Sequence, residues 1–263
     1  MVQSMNNFKA GWSFIIITSG QFNEHLNGCV SSIVNASIDK DFEIIVVGGV
    51  GKTDQRFTHI IFNEEKRYYS LNNIIQQLKR GRFRKIFKKT GAIAEKKNIG
   101  SKLAKFDKLC ILHDYVSLSN DWFQTYKTET SDEWDILIPK VINSDNRRHR
   151  DWVLWKDPIY SENKFPNCLP PYDYESEYYY VNGTVMVVKS EFFNENPLND
   201  LLFWGQGEDV EWSLRVRKKA KLLKQFNLVF KYLKYKDDDP SADYKWIKNL
   251  NILTEKSNKI SKI

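Results

Sequence analysis

Short apolar runs alternate with stretches of helical period along the first half of the chain. Phe14 to Thr18 is a strand-sized run closed by the turn signal Ser19-Gly20, and Glu24 to Asn35 then carries Leu26, Val30 and Ile33 at helical spacing. A second run, Phe42 to Val47, stops at Gly48-Gly49, and a shorter third lies at His59 to Phe62. Ala92 to Lys105 is predicted helical, with Ile93, Ile99 and Leu103 in loose period, and Lys108 to Leu112 is a fourth buried strand. Strands and helices in alternation, with strands apolar on both faces, predict a parallel sheet covered by helices on each side.

The second half reads differently. Trp134 to Pro139 is strand-like, and Asn143 to Tyr178, thick with Trp, Tyr, Pro and Asp, has no readable period. Tyr179 to Lys189 is predicted as one strand interrupted at Gly183, and Glu208 to Lys224 as a helix. Ligands of doubly wound sheets collect outside the carboxyl ends of the strands. The polar residues after Ile17, Val47 and Leu112 are therefore the first candidates for a site.

Composition narrows the class. The 263 residues, 41% hydrophobic and 14% aromatic, suffice for a sizeable core and exclude a disordered chain, while 12 Gly and 7 Pro are too few for a fibrous one. No apolar run approaches the roughly 20 residues that cross a bilayer, and Met1 to Trp12 lacks the apolar core of a signal peptide. A cytoplasmic protein is the expectation. Cys29, Cys110 and Cys168 are odd in number and far apart, which predicts reduced thiols rather than disulfides or a metal cluster.

Charge changes the picture further. Of the net +7, a dense block lies between Lys79 and Lys89, where Arg80, Arg82, Arg84, Lys85 and Lys88 follow with no acid among them. Leu71, Ile74, Ile75 and Leu78 predict a helix over Ser70 to Arg80, and Phe83, Ile86 and Phe87 lie among the cations beyond it. That pattern fits a peripheral contact with an anionic membrane surface, or a packed helix with a solvated basic face. It does not resemble the aromatic sheet platforms that bind nucleic acid, so none is expected as a partner.

Three segments hold candidate chemistry. His113-Asp114-Tyr115 closes a buried strand, where a carboxylate either holds Mg²⁺ or Mn²⁺ against a diphosphate or caps a turn. Trp204-Gly205-Gln206-Gly207-Glu208-Asp209 leads into a helix through two glycines that permit close approach to a ligand. Its carboxylates are either a general base and its neighbour or complements to the helix dipole, with Trp204 and Trp212 as platforms for a sugar face. Glu211 is expected to pair with Arg215 four residues on. Lys96-Lys97-Asn98-Ile99-Gly100 puts two cations on a helix, where they reach phosphates or form a solvated face.

These segments, in this order, resemble the inverting GT-A glycosyltransferases, above all glycosyltransferase family two. Ser13 to Thr18, Cys29 to Ile33 and Phe42 to Val47 look like that family's first strand, helix and second strand. Lys97-Asn98-x-Gly100 is similar to its Arg-Asn-x-Gly helix, and His113-Asp114-Tyr115 falls where it keeps a metal-binding Asp-x-Asp element. Gly205-x-Gly207-Glu208-Asp209 is also similar to a segment of beta-1,4-galactosyltransferases. The resemblance covers roughly residues 13 to 220, with Gly48-Gly49 in place of the acidic residues usual after the second strand.

The resemblance implies a GT-A-like α/β fold with a doubly wound mixed sheet, a nucleotide-binding part abutting an acceptor-binding part. The expected layout is a lead-in over 1–12, one domain over 13–240 and a lysine-rich tail over 241–263. Within that domain, 13–115 bind the nucleotide-sugar, with a basic helical insertion at 64–90, and 116–240 bind the acceptor. Asp209 would be the catalytic base and Glu208 its partner. Thr18, Ser19, Lys97, Asn98, His113, Asp114, Tyr115 and Gly183 would bind the donor, and Trp204, Gly207 and Trp212 the acceptor. Asp114 would hold a divalent cation, Mn²⁺ or Mg²⁺, with Lys96 or Lys97 as the alternative counter-charge. The donor would be a UDP- or GDP-sugar, and the acceptor a glycan or lipid-linked glycan in polysaccharide biosynthesis. A retaining transferase and a catalytically silent sugar-binding protein are the rival readings.

Overall fold

A computed structural model describes residues 8–19, 24–37, 41–49, 54–62, 92–158, 167–202 and 207–236. The predicted basic helix, the 64–90 insertion, Trp204 and the 241–263 tail lie outside the described residues. The described strands are β1 (Lys9–Ile17), β2 (Phe42–Val47), β3 (Thr58–Ile60), β4 (Phe106–His113), β5 (Val116–Leu118), β6 (Ile136–Ile142), β7 (Trp152–Trp155), β8 (Asn167–Cys168), β9 (Tyr179–Val181), β10 (Val185–Lys189) and β11 (Leu222–Tyr232). The helices are α1 (Glu24–Ala36), α2 (Ile93–Leu103), α3 (Trp122–Glu129), α4 (Ser190–Glu195) and α5 (Glu208–Val216).

Eight strands form one mixed sheet in the order β3-β2-β1-β4-β10-β6-β11-β5, and β8-β7-β9 form a small second sheet. The first four strands of the large sheet are mutually parallel, as the alternating pattern predicts. β10 then runs antiparallel to both β4 and β6, and β11 runs parallel to β6. The side-chain period of a strand sends alternate residues to opposite faces. Phe14 and Ile16 of β1 therefore enter the core beneath α1, with Leu26, Cys29, Val30 and Ile33, while Ile15 enters the opposite core with Ala94 of α2.

The turn after β4 dictates the curvature of the sheet. His113 ends β4 and Val116 begins β5, with only Asp114 and Tyr115 between, yet β10, β6 and β11 lie between those two strands in the sheet. On a flat sheet four strand spacings span about 19 Å, whereas three residue steps reach at most about 11 Å. The sheet must curl, and the end of β11 arrives beside the end of β4. Leu233 N–H donates to the Tyr115 carbonyl (2.8 Å) at this meeting point.

Several expectations are corrected. Tyr179 to Lys189 is two strands in different sheets, because the turn at Asn182–Thr184 redirects the chain. The helix from Glu208 stops at Val216, and Leu222 onward is the long strand β11 rather than its continuation. The aperiodic stretch 143–178 contains β7 and β8. The expectation of reduced thiols, by contrast, stands for Cys29 and Cys110, which are free and buried, and burial pushes both thiol pKa values up.

Gly100 explains one sequence requirement. A Cβ added there would lie 2.3 Å from Cγ2 of Ile15, a fully buried side chain, so glycine is what lets α2 lie against β1. Gly100→Ala should destabilise the protein by about 2 kcal/mol, overpacking outweighing the gain in helix propensity. Urea unfolding checks this, and an unchanged midpoint would show that α2 shifts without cost.

Candidate active site

The carboxyl ends of β1 and β4, the β9–β10 turn and the N-terminus of α5 converge. Left-handed Gly207 (φ 69°) opens α5 and places Glu208 and Asp209 in its first turn. Ser213 ties this helix to β9: its hydroxyl donates to the Asp209 carbonyl (2.7 Å) and accepts from Val181 N–H (2.9 Å). The Asp209 carboxylate accepts Gly183 N–H at Oδ2 (2.8 Å) and Val210 N–H at Oδ1 (2.9 Å). A Cβ at Gly183 would lie 2.9 Å from that carboxylate, so the close approach depends on glycine.

Lys97 lies at the centre of this group with no exposed side-chain surface. Its ammonium donates to the Gly183 carbonyl (2.6 Å) and to Glu208 Oε1 (3.1 Å). Lys96 is also buried, at 3% exposure, and donates to the Thr18 carbonyl (2.7 Å). Of the two alternatives for this segment, the solvated basic face is excluded: α2 turns Lys96 and Lys97 inward, where carbonyl and carboxylate oxygens replace water.

Electrostatics sort the carboxylates. Burial, and secondarily the charge of Glu208, raise the Asp209 pKa to about 6, against the opposing pull of Lys97 and the two backbone N–H groups. Asp209 keeps part of its surface accessible, as a group that meets a ligand must. At the β4 end the Thr18 hydroxyl donates to Asp114 Oδ2 (2.7 Å), and Ser19 beyond it is exposed. Burial drives the His113 pKa well below its usual value, reinforced by Lys97, Lys236, Lys96 and Lys234, so at neutral pH the imidazole is uncharged. The Tyr115 phenol is pushed up, chiefly by burial.

Thr18, Lys97, His113, Asp114, Tyr115, Gly183, Glu208 and Asp209 are thus brought together. Two other candidates are committed elsewhere. The Asn98 side chain clasps the backbone of Leu198 through two hydrogen bonds (2.9 and 3.0 Å), holding α2 to the segment after α4. Trp212 is fully buried against Phe193, its indole N–H donating to the Asn196 carbonyl (2.5 Å), so it is core and offers no platform to a sugar. Glu211 pairs with Arg215 as its spacing predicts (3.0 Å).

Sequence reasoning missed the contribution of the β11 end. Asn182 donates to the Tyr232 hydroxyl (3.0 Å), tying the β9–β10 turn to β11, and Lys234 and Lys236 follow directly. The lysines and tyrosines interleaved in Lys231-Tyr-Leu-Lys-Tyr-Lys were a legible signal once that strand was identified.

These side chains do not suit the divalent ion expected at Asp114. Among the described residues no three His, Cys, Asp or Glu side chains come together as a metal site. One oxygen of Asp114 is already engaged by Thr18, and four lysines lie near enough to perturb the adjacent His113. Such a field repels a further cation.

No family model and no curated protein matches the chain. Solved structures do. S. aureus TarS residues 1–349 in complex with UDP-GlcNAc is similar at 10% identity and a TM-score of 0.53, covering 92% of this chain and 66% of that one. A longer TarS structure gives 12% and 0.52, covering 92% and 39%. GalNAc-T7 with UDP, GalNAc and Mn²⁺ gives 16% and 0.52, covering 93% and 48%. The chain thus spans between 39% and 66% of the length of these solved relatives. At such identities the likeness shows the fold: a GT-A-like mixed α/β architecture.

Lys97→Met would leave Glu208 with a buried, unpaired charge. A loss of about 3–5 kcal/mol of stability is expected at pH 8, as for other buried pairs stripped of one partner. Chemical denaturation measures it; a loss below about 1 kcal/mol would mean that the pair does not anchor the site.

Proposed function

We propose that the protein transfers a sugar from a nucleotide-sugar donor to a hydroxyl of a glycan acceptor, with inversion. One observation carries the reading: on a GT-A-like fold, Asp209 is fixed by two backbone N–H groups where the β9–β10 turn meets the start of α5, with a pKa of about 6. A general base works best when its pKa lies near the operating pH, and burial has moved this carboxylate toward it. Each of its oxygens retains a lone pair beyond the hydrogen bond it accepts.

In this reading the acceptor hydroxyl gives its proton to Asp209 as its oxygen attacks the anomeric carbon. The bond from that carbon to the diphosphate breaks on the opposite side, and the nucleoside diphosphate leaves with the electron pair. Lys97 binds Glu208 directly and not Asp209, so the two neighbouring carboxylates divide the roles of structural partner and base. Thr18 and Asp114 face the donor at the ends of β1 and β4. The UDP and UDP-GlcNAc bound by TarS, and the UDP bound by GalNAc-T7, favour a UDP-sugar as the first donor to try.

No described helix is long and apolar enough to cross a membrane. The basic segment on which membrane contact was expected lies outside the described residues, so the acceptor is proposed as a glycan hydroxyl without a lipid requirement.

Asp209→Asn should lower turnover by roughly two to four orders of magnitude and leave donor binding nearly intact. UDP release from a panel of UDP-sugars with glycan acceptors, alongside donor titration, reads both quantities. A variant with full activity would remove Asp209 from the mechanism, and a wild type that binds donor yet never turns over would favour a silent sugar-binding protein.

The pH profile carries a second test. Asp209 acts only when deprotonated, so kcat/KM should fall about tenfold per pH unit below about 6 and level off above it. Because Lys97 lowers the Asp209 pKa, a folded Lys97→Met variant should have its acid limb displaced to higher pH. An acid limb that stays in place would contradict the coupling.

A further inference from the structure

The chain just beyond β11 carries cations that the proposed chemistry has not used. Lys234 and Lys236 hold their ammonium groups 4.1 and 5.0 Å from the ring centroid of Tyr115, the residue following Asp114. Asn143 fixes the backbone there, donating to the Lys236 carbonyl (2.7 Å) and accepting its N–H (2.9 Å). Burial, and then the nearby Lys234 and Arg150, hold the Lys236 pKa below the usual lysine value. Arg150 itself occupies a left-handed backbone conformation (φ 41°).

Lys234 is exposed and Lys236 half-buried; holding their like charges over one ring costs Coulomb energy, and an anion is what recovers it. Among the described residues neither Lys234 nor Lys236 forms an ion pair with a carboxylate. By contrast, the Lys97 ammonium is taken by Gly183 and Glu208, and Lys96 donates to the Thr18 carbonyl. The two lysines that were the alternative counter-charge are therefore already engaged. The β11 pair lies at the same Asp114–Tyr115 turn, because the curled sheet brings the ends of β4 and β11 together.

We propose that Lys234 and Lys236 form a preorganised anion site that neutralises the donor's diphosphate in place of a divalent metal ion. The proposal rests on the glycosyl-transfer reading. As the bond between the anomeric carbon and the diphosphate oxygen breaks, that oxygen gains negative charge while Asp209 takes the acceptor proton. Fixed ammonium groups stabilise the developing charge without reorganising. Tyr115, whose ring the lysines overlie, is a positioning residue for them.

Calorimetric titration of the full chain tests this, using UDP, GDP and inorganic pyrophosphate, each with chelator or with Mn²⁺. Wild type should bind UDP or GDP in chelator, and Lys234→Gln/Lys236→Gln should weaken that binding at least tenfold. Lys231→Gln should leave it unchanged, since that ammonium is bound to Asn146 (2.8 Å). Melting curves verify that each variant is folded, and either single variant, expected to lose about threefold or more, replaces a double variant that is not. Nucleotide binding that requires Mn²⁺, or that is indifferent to both lysines, overturns the metal-free site and leaves the transferase reading standing. Pyrophosphate binding in chelator that is lost in the variants, with no nucleotide bound, supports the anion site and removes the nucleotide-sugar reading. Absence of binding to all three probes overturns both.

Discussion

An ammonium ion buried without water must be surrounded by oxygens, and Lys97 imposes that condition on everything near it. Its two oxygen partners belong to separate elements: the Gly183 carbonyl to the β9–β10 turn and Glu208 to the start of α5. The helix carrying Lys97 can lie this deep only because Gly100 permits contact with Ile15. Remove the lysine and the turn, the helix and the first strand lose their common reference point. Gly183 then matters twice over, since its carbonyl holds Lys97 while its N–H holds Asp209.

That single glycine separates two carboxylates that are adjacent in sequence. Glu208 faces a cation at hydrogen-bond distance, whereas Asp209 faces backbone dipoles and feels Lys97 only through space. Two carboxylates adjacent in sequence thereby meet different surroundings: one is tied into the packing, and the other keeps part of its surface open at a strand end. The arrangement also accounts for the glycines at this site: left-handed Gly207 aims the helix, and Gly183 admits the carboxylate.

Much of the fold could be read from the chain where one physical rule dominated. The continuous apolar runs of β1, β2 and β4, buried on both faces, and the single apolar stripe of α1 behave as their patterns say. Glu208 and Asp209 were visible because two glycines ahead of a helix mark a close approach that packing alone seldom needs. Legibility failed where burial was polar or tertiary. α2 buries Lys96, Lys97 and Asn98, which no hydrophobic period reveals, because their partners come from distant segments. β11 mixes Lys, Gln and Asn with apolar residues along one partly covered strand, so its start merged with the preceding helix. Trp212 shows the converse: an aromatic beside candidate carboxylates looks like a sugar platform, but Phe192 and Phe193 enclose it.

The placement of β11 also bears on the order in which the molecule assembles. It is the last described strand along the chain, yet it inserts between β6 and β5, both made earlier. Until it arrives, those two strands have a gap between them, and the contacts that close it span about a hundred residues, a slow kind of pairing. The residues just past β11 include Lys234 and Lys236. A partly synthesised chain could therefore hold Asp209 against Gly183 while the β4–β11 junction is still open. Completion of the sheet and completion of the cationic corner become one folding event, and a nascent chain lacking that strand would hold the Asp209 carboxylate without the lysines beyond β11.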